Sequence, residues 1–119
     1  MGSIGDDESW IRSAIATAGC VVVDVGYRRA PEHRLPIPVE DSWAAFEYVV
    51  SHSHELGVDV TRISLGGWSA GGHLSAVLSH RARDKGLSNI VFVLMAIPVT
   101  DAAALGTDLK VRQGSSFHA

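Results

Sequence analysis

The chain has 119 residues, of which 46% are hydrophobic and 19% charged, and its formal net charge is −3. This length allows one domain at most, and the composition excludes a disordered protein. Acidic and basic residues are interspersed, so we expect no nucleic-acid partner and no basic membrane-binding patch. The N-terminus lacks the features of a signal peptide, and the longest apolar run, 90–99, is too short to span a bilayer. We therefore expect a soluble, cytoplasmic protein with no membrane span.

The first part of the chain predicts a helix followed by a strand. Apolar residues at helical spacing follow Asp6 and Asp7, and Gly19 is a suitable end for this helix. The β-branched run 20–25 predicts a strand that is buried on both faces. Cys20 heads this run and is the chain's single cysteine, which excludes an internal disulfide. We expect its thiol to be buried and inert.

The same periodicities predict four further elements: a helix over 40–55 that ends at Gly57, a strand over 62–66, a helix over 70–85 that ends at Gly86, and a strand over 90–97. Alternation of buried strands with helices indicates an α/β fold, with a parallel sheet flanked by helices. About three strands and three helices are expected. We expect one domain over 1–101 and an irregular tail over 102–119.

A G-x-S-x-G pattern lies between the second strand and the helix after it, at 67–71. In this context the pattern predicts a nucleophile elbow, in which a strained turn exposes the Ser69 hydroxyl at the carboxyl end of the sheet. Glycines two residues before and after the serine are expected to avoid clashes, and the Ala70 N–H can stabilise an oxyanion. The alternative to a nucleophile elbow is an ordinary glycine-rich turn between a strand and a helix, without a catalytic role. A phosphate-binding loop fits poorly, because the Walker lysine is missing.

The residues around this motif closely resemble the hormone-sensitive-lipase family of α/β-hydrolases. The resemblance is carried by Y-R-R-A-P-E-H at 27–33 with Leu35-Pro36, V-E-D-S-W-A-A at 39–45, G-V-D at 57–59, Arg62-Ile63, G-G-W-S-A-G-G at 66–72 and P-V-T-D at 98–101. It implies a partial α/β-hydrolase fold and a carboxylesterase or lipase that acts on small-molecule carboxylic esters. Ser69 would form the acyl-enzyme and Ala70 would be an oxyanion donor. No cofactor or metal is implied, and the oligomeric state is left open.

Two residues depart from the family pattern, which usually has aspartate at the positions of Trp68 and Gly26. Neither change removes the nucleophile. The resemblance also implies a His-Gly-Gly-Gly loop before the segment that matches 2–4, and an acid and a histidine far beyond Ser69. A further strand would lie between those predicted over 20–25 and 62–66. We therefore expect a truncated chain, with uncovered apolar faces and little activity of its own.

No histidine in the sequence is predicted to be the catalytic base. His73 is expected on the surface of the elbow helix, His118 in the tail, and His33 in a loop that it supports; His52, His54 and His80 are expected to be solvated helix residues. No cluster has metal-ligand spacing. Two alternatives to an esterase stay open. One is a ligand-binding protein without catalysis, like the plant gibberellin receptors that resemble this family, and the other is a non-functional remnant.

Overall fold

The computed structural model describes residues 8–100, so the tail predicted over 102–119 lies outside the described residues. The elements in chain order are α1 (Glu8–Ala18), α2 (Ile37–Ser51), α3 (Ser53–Leu56), β1 (Ile63–Trp68), α4 (Ala70–Asp84) and β2 (Ile90–Ala96). The α/β class with a parallel sheet flanked by helices is confirmed, and the described sheet has two strands. No helix in the described range is both long and apolar enough to cross a membrane.

The centre of the described structure is a β1–α4–β2 unit. The two strands run parallel, with Leu65 opposite Val93 and Trp68 opposite Ala96, and the register is irregular between Ile63 and Ser64. Parallel strands need a crossover connection, which α4 provides by packing on both of them. As a result, the carboxyl ends of β1 and β2 meet at one edge, and β1 delivers the chain there directly into α4.

The hydrophobic core lies between α2, α4 and one face of the sheet. Its buried members are Trp43, Phe46, Leu78 and Ala82, and the half-buried Ile63, Leu65 and Ile90 of the strands pack against them. Trp43 is 3% exposed, and its ring centroid lies 5.1 Å from that of Phe46. The Arg81 guanidinium lies 4.8 Å from the Trp43 ring centroid, and Trp43 Nε1–H donates to Glu47 at 2.6 Å. Burial of one such large side chain contributes about 1.5–3 kcal/mol, so Trp43 is a main anchor of α2.

Helix α2 begins and ends at different residues from those predicted. α2 begins at Ile37, three residues before the predicted start, because Pro36 is its N-cap and Pro38 lies in the first turn, where a missing N–H leaves no helical hydrogen bond unmade. It ends at Ser51, and His52 separates it from the short α3, so the prediction of one helix over 40–55 is wrong. Gly57 ends α3 with φ 66°, as its position in the sequence predicted.

The strand predicted over 20–25 is wrong in the described structure. This segment carries no strand pairing, and Val21 and Val23 are 54% and 46% exposed. A β-branched run becomes a strand only where a neighbour accepts and donates its backbone hydrogen bonds, and the described sheet pairs β1 with β2 alone. Cys20 is exposed, with Sγ 3.8 Å from the Ala14 carbonyl oxygen, so the prediction of a buried thiol is also wrong.

The two strands are not buried on both faces. Burial along β1 alternates between half-buried and exposed residues. On β2, Val91, Phe92, Leu94 and Met95 are 38–59% exposed, although an all-apolar run predicted burial on both faces. In the described part of the chain, α2 and α4 lie on the face that holds the core, and apolar residues of β2 outside that core remain largely exposed.

Candidate nucleophile elbow

Ser69 lies on a sharp turn between the last residue of β1 and the first residue of α4. Its φ is 49° and its ψ is −109°, a strained backbone for a residue with a side chain. The turn is held by hydrogen bonds: Ser69 N–H donates to the Ala96 carbonyl at the end of β2 (2.9 Å), and the Ser69 carbonyl accepts from His73 N–H (3.1 Å). Ser69 is exposed. The geometry is that of the predicted elbow, and it presents the hydroxyl at the carboxyl edge of the sheet.

The glycine before the serine is required by close backbone contact. A Cβ on Gly67 would lie 2.4 Å from the carbonyl carbon of Gly71, a distance that cannot be accommodated without moving the turn. A Cβ on Gly71 would meet nothing within 4 Å in the described structure. The expectation of a steric need for glycine is therefore correct at Gly67 and wrong at Gly71. Gly72 is also tight, because its Cβ would lie 3.0 Å from the Gly67 carbonyl oxygen.

Ala70 begins α4, so its N–H is one of the first helical amides, which have no acceptor within the helix. The helix dipole places partial positive charge at this end. Ala70 is an exposed residue beside Ser69. These features suit an oxyanion donor, the role predicted for Ala70.

The described histidines lie in different places around the fold. His73 is half-buried in the first turn of α4, and its Nδ1 lies 2.8 Å from the Val99 carbonyl oxygen, so the expectation of a helix-surface residue missed this contact. His52 stacks on Tyr48 with ring centroids 3.9 Å apart, and His54 and His80 are exposed. His118 lies outside the described residues.

Among the residues that the structure describes, Ser69 Oγ has no side-chain hydrogen bond, and no group of three or more His, Cys, Asp and Glu could hold a metal.

The segment that resembles the hormone-sensitive-lipase family at 27–33 is tied to α2 by an ion pair. Arg28 donates from its backbone N–H and Nε to Asp41 Oδ2, both at 2.9 Å, and from a terminal nitrogen to Oδ1 at 2.7 Å. These hydrogen bonds lower the pKa of Asp41 to about 2, and they raise the pKa of Arg28. Sequence reasoning missed this pair, because the two residues are thirteen positions apart and no local pattern links them.

A small cleft lies beside the elbow, between the C-terminal halves of β1 and β2 on one side and α1 and residues 22–24 on the other. Its volume is about 100 Å³, and its walls include Trp10, Ile11, Val22, Val23, Gly66, Gly67, Trp68, Leu94 and Ala96. Trp68, the departure from the family pattern, lines this cleft and is 47% exposed. A larger depression of about 400 Å³ lies between the C-terminal half of α4 and β2, and no residue of the elbow lines it.

Comparison with known proteins matches residues 1–117 to a family model described as the alpha/beta hydrolase fold. The chain belongs to the α/β-hydrolase fold family. This chain is 43% identical over 100 residues to Esterase LipI of Mycobacterium tuberculosis, and the match covers 84% of this chain and 31% of LipI. It is 31% identical over 118 residues to an ethyl acetate hydrolase of Pseudomonas putida, covering 98% of this chain and 37% of that protein.

Solved structures of α/β-hydrolases agree with the sequence match. The thermophilic carboxylesterase EstE1, from a metagenomic library, superposes with a TM-score of 0.83 at 38% identity, over 98% of this chain and 40% of EstE1. A bacterial heroin esterase superposes with a TM-score of 0.81 at 39% identity, over 85% of this chain and 32% of that structure. This α/β-hydrolase chain thus spans about a third of the length of the curated relatives it matches.

Proposed function

We propose that this chain carries the nucleophile elbow of a carboxylic-ester hydrolase, with Ser69 as the nucleophile and the Ala70 N–H as an oxyanion donor. The observation that carries the proposal is the Ser69 turn itself. A non-glycine residue at φ 49° is held between β1 and α4 with its side chain exposed. Such strain persists only where the surrounding structure maintains it, and it clusters at sites that do chemistry. The named relatives are esterases and carboxylesterases, which supports the same reaction class.

In the proposed reaction Ser69 Oγ attacks the carbonyl carbon of an ester while a base removes the hydroxyl proton. The tetrahedral intermediate places its negative oxygen near the Ala70 N–H and the N-terminus of α4. Collapse of the intermediate breaks the ester C–O bond, and the alcohol leaves with the proton. Water then attacks the acyl-enzyme, which releases the carboxylic acid and restores Ser69.

The substrate class proposed is a small carboxylic ester. One relative is named as an ethyl acetate hydrolase and another as a heroin esterase, so related proteins act on esters of quite different alcohols. The base is left unassigned, since Ser69 Oγ has no side-chain hydrogen bond within residues 8–100. We expect the chain alone to hydrolyse p-nitrophenyl acetate no faster than its Ser69→Ala variant and to resist fluorophosphonate labelling.

The test supplies the base from solution. The chain is incubated with p-nitrophenyl acetate with and without imidazole, and acetylated peptides are identified by mass spectrometry. We expect imidazole to promote acetylation of the peptide that contains Ser69, and Ser69→Ala to abolish it. Ser79→Ala is the matched control, because Ser79 is a half-buried serine on α4, the helix that begins directly after Ser69. Acetylation that is unaffected by Ser69→Ala, or none with imidazole present, would contradict the nucleophile assignment and favour a non-catalytic protein.

A further inference from the structure

Two hydrogen bonds join the elbow to the loop that follows β2, and a third lies within the elbow itself. The Ser69 carbonyl accepts from His73 N–H at 3.1 Å and from Val99 N–H at 3.4 Å. The His73 side chain also contacts Val99, because its Nδ1 lies 2.8 Å from the Val99 carbonyl oxygen. A carbonyl oxygen only accepts hydrogen bonds, so Nδ1 carries the proton in this contact. Ser69, His73 and Val99 therefore form a closed hydrogen-bonded ring.

The two backbone segments held by this ring are both strained. Ser69 has φ 49° and Ile97 has φ 42°, and a β-branched residue at positive φ is a rarity. Between them the packing is close, because a Cβ on Gly72 would lie 3.2 Å from Pro98 Cβ. Strained residues persist where surrounding contacts hold them in place. The His73 side chain supplies such a contact from the first turn of α4.

We infer that His73 is a positioning residue that holds the 97–99 loop against the elbow and thereby fixes the backbone of Ser69. The inference rests on the proposed function of Ser69. His73 acts through Val99 and the Ser69 carbonyl, so it does not touch the ester. Without the bond, the Val99 carbonyl loses its side-chain donor and the loop is free to move away from the Ser69 turn. Small displacements of a nucleophile cost reaction rate even when the fold is intact.

The activity arm compares three variants in the imidazole-assisted acetylation of Ser69. His73→Leu keeps the bulk and removes the donor, whereas His73→Asn keeps an N–H donor at the same position. His80→Leu is the matched control, because His80 is exposed on the same helix. We expect the leucine variant at His73 to lower the acetylation rate about tenfold, and the asparagine variant to recover it to within about threefold of the parent. Equal rates in both His73 variants would overturn the inference, because a purely structural loss is not rescued by a donor.

The spectroscopic arm decides the question independently of activity. Nitrogen-15 NMR of the histidine rings is expected to show His73 as the Nδ1–H tautomer in the parent chain. The amide signals of Ser69 and Ala70 should shift in His73→Leu and stay close to the parent in His73→Asn and His80→Leu. If Ser69 is never acetylated, the proposed function fails, and these signals still test the positioning. An Nε2–H tautomer of His73, or unchanged Ser69 and Ala70 signals in His73→Leu, would overturn the inference that His73 positions the Ser69 backbone.

Discussion

The β1–α4–β2 unit with α2 packed on it, called here the paired region, and residues 8–29 contain similar side chains and adopt different structures. The run I-V-F-V at 90–93 lies in a strand that pairs with β1, whereas V-V-V at 21–23 is unpaired, although both runs leave side chains exposed. Helix α4 buries Leu74, Leu78 and Ala82 among its residues, whereas α1 buries none. The difference shows that an apolar, β-branched sequence is a strand only when another strand meets its backbone.

The two regions are joined through Arg28 and Asp41, which tie the loop after the unpaired segment to α2. The paired region contains the core around Trp43, whereas no residue of 8–29 belongs to that core. We therefore expect substitutions in the paired region to change the free energy of unfolding strongly and equivalent substitutions before residue 29 to change it little. Four experiments test this contrast.

Trp43→Ala is expected to have the largest effect. Removal of this 3% exposed ring leaves a cavity in the core and should lower the free energy of unfolding by about 3–5 kcal/mol. Trp10→Ala is the matched control, because Trp10 is 42% exposed on α1 and should cost less than about 1 kcal/mol. Urea denaturation followed by far-ultraviolet circular dichroism measures both. Similar losses in the two variants would mean that the N-terminal region is packed as well as the core.

Gly67→Ala is expected to have the next largest effect. The new methyl group would meet Gly71 backbone atoms at 2.4–2.8 Å, so the elbow must open at a cost of about 2–3 kcal/mol. Gly71→Ala adds the same methyl group to open space on a helix and should be neutral or slightly stabilising. Thermal unfolding compares the stabilities, and the NMR signal of the Ser69 amide reports the turn. A tolerated alanine at 67 would contradict the elbow geometry described here.

Asp41→Asn tests the tie between the two regions through its pH dependence. The pKa of Asp41 is about 2 in the folded chain and near 3.8 without its partner, so the unfolded state takes up a proton first as the pH falls. The stabilisation is therefore complete above about pH 4 and lost as the pH falls towards 2. We expect Asp41→Asn to lower the denaturation midpoint at pH 7 and to match the parent near pH 2.

Glu55→Gln is the control for Asp41→Asn, because Glu55 is exposed on α3 and its side chain makes no hydrogen bond or ion pair within the described residues. Its midpoint should differ little from the parent at either pH. A difference between Asp41→Asn and the parent that stays constant from pH 7 to pH 2 would show that the ion pair does not couple these regions.

Cys20→Ser is expected to have the smallest effect on stability, within about 0.5 kcal/mol, because the side chain is exposed. The thiol itself is the more informative probe. Ellman's reagent should modify Cys20 in the native chain almost as fast as in urea. Protection of the thiol in the native chain by a large factor would indicate that the run 20–25 is buried, as its sequence alone predicted.

Local sequence was sufficient to predict the turn at Ser69 and the helix ends at which glycine stands. The G-x-S-x-G spacing located the strained turn at Ser69, and glycines located the ends of α1 and α3 at Gly19 and Gly57, where φ is 59° and 66°. These features depend on which backbone angles a residue tolerates, so neighbouring residues suffice to predict them. The nucleophile and oxyanion roles of Ser69 and Ala70 stay predictions.

Only the tertiary structure decided which segments pair and which side chains hold the site. The run 20–25 had the composition of a strand, and without a paired neighbour in the described sheet it forms none. His73 contacts a carbonyl 26 residues away, and Arg28 binds a carboxylate thirteen residues away. Strand pairing and such long-range hydrogen bonds depend on which distant backbone arrives beside a residue, a fact that periodicity and propensity do not contain.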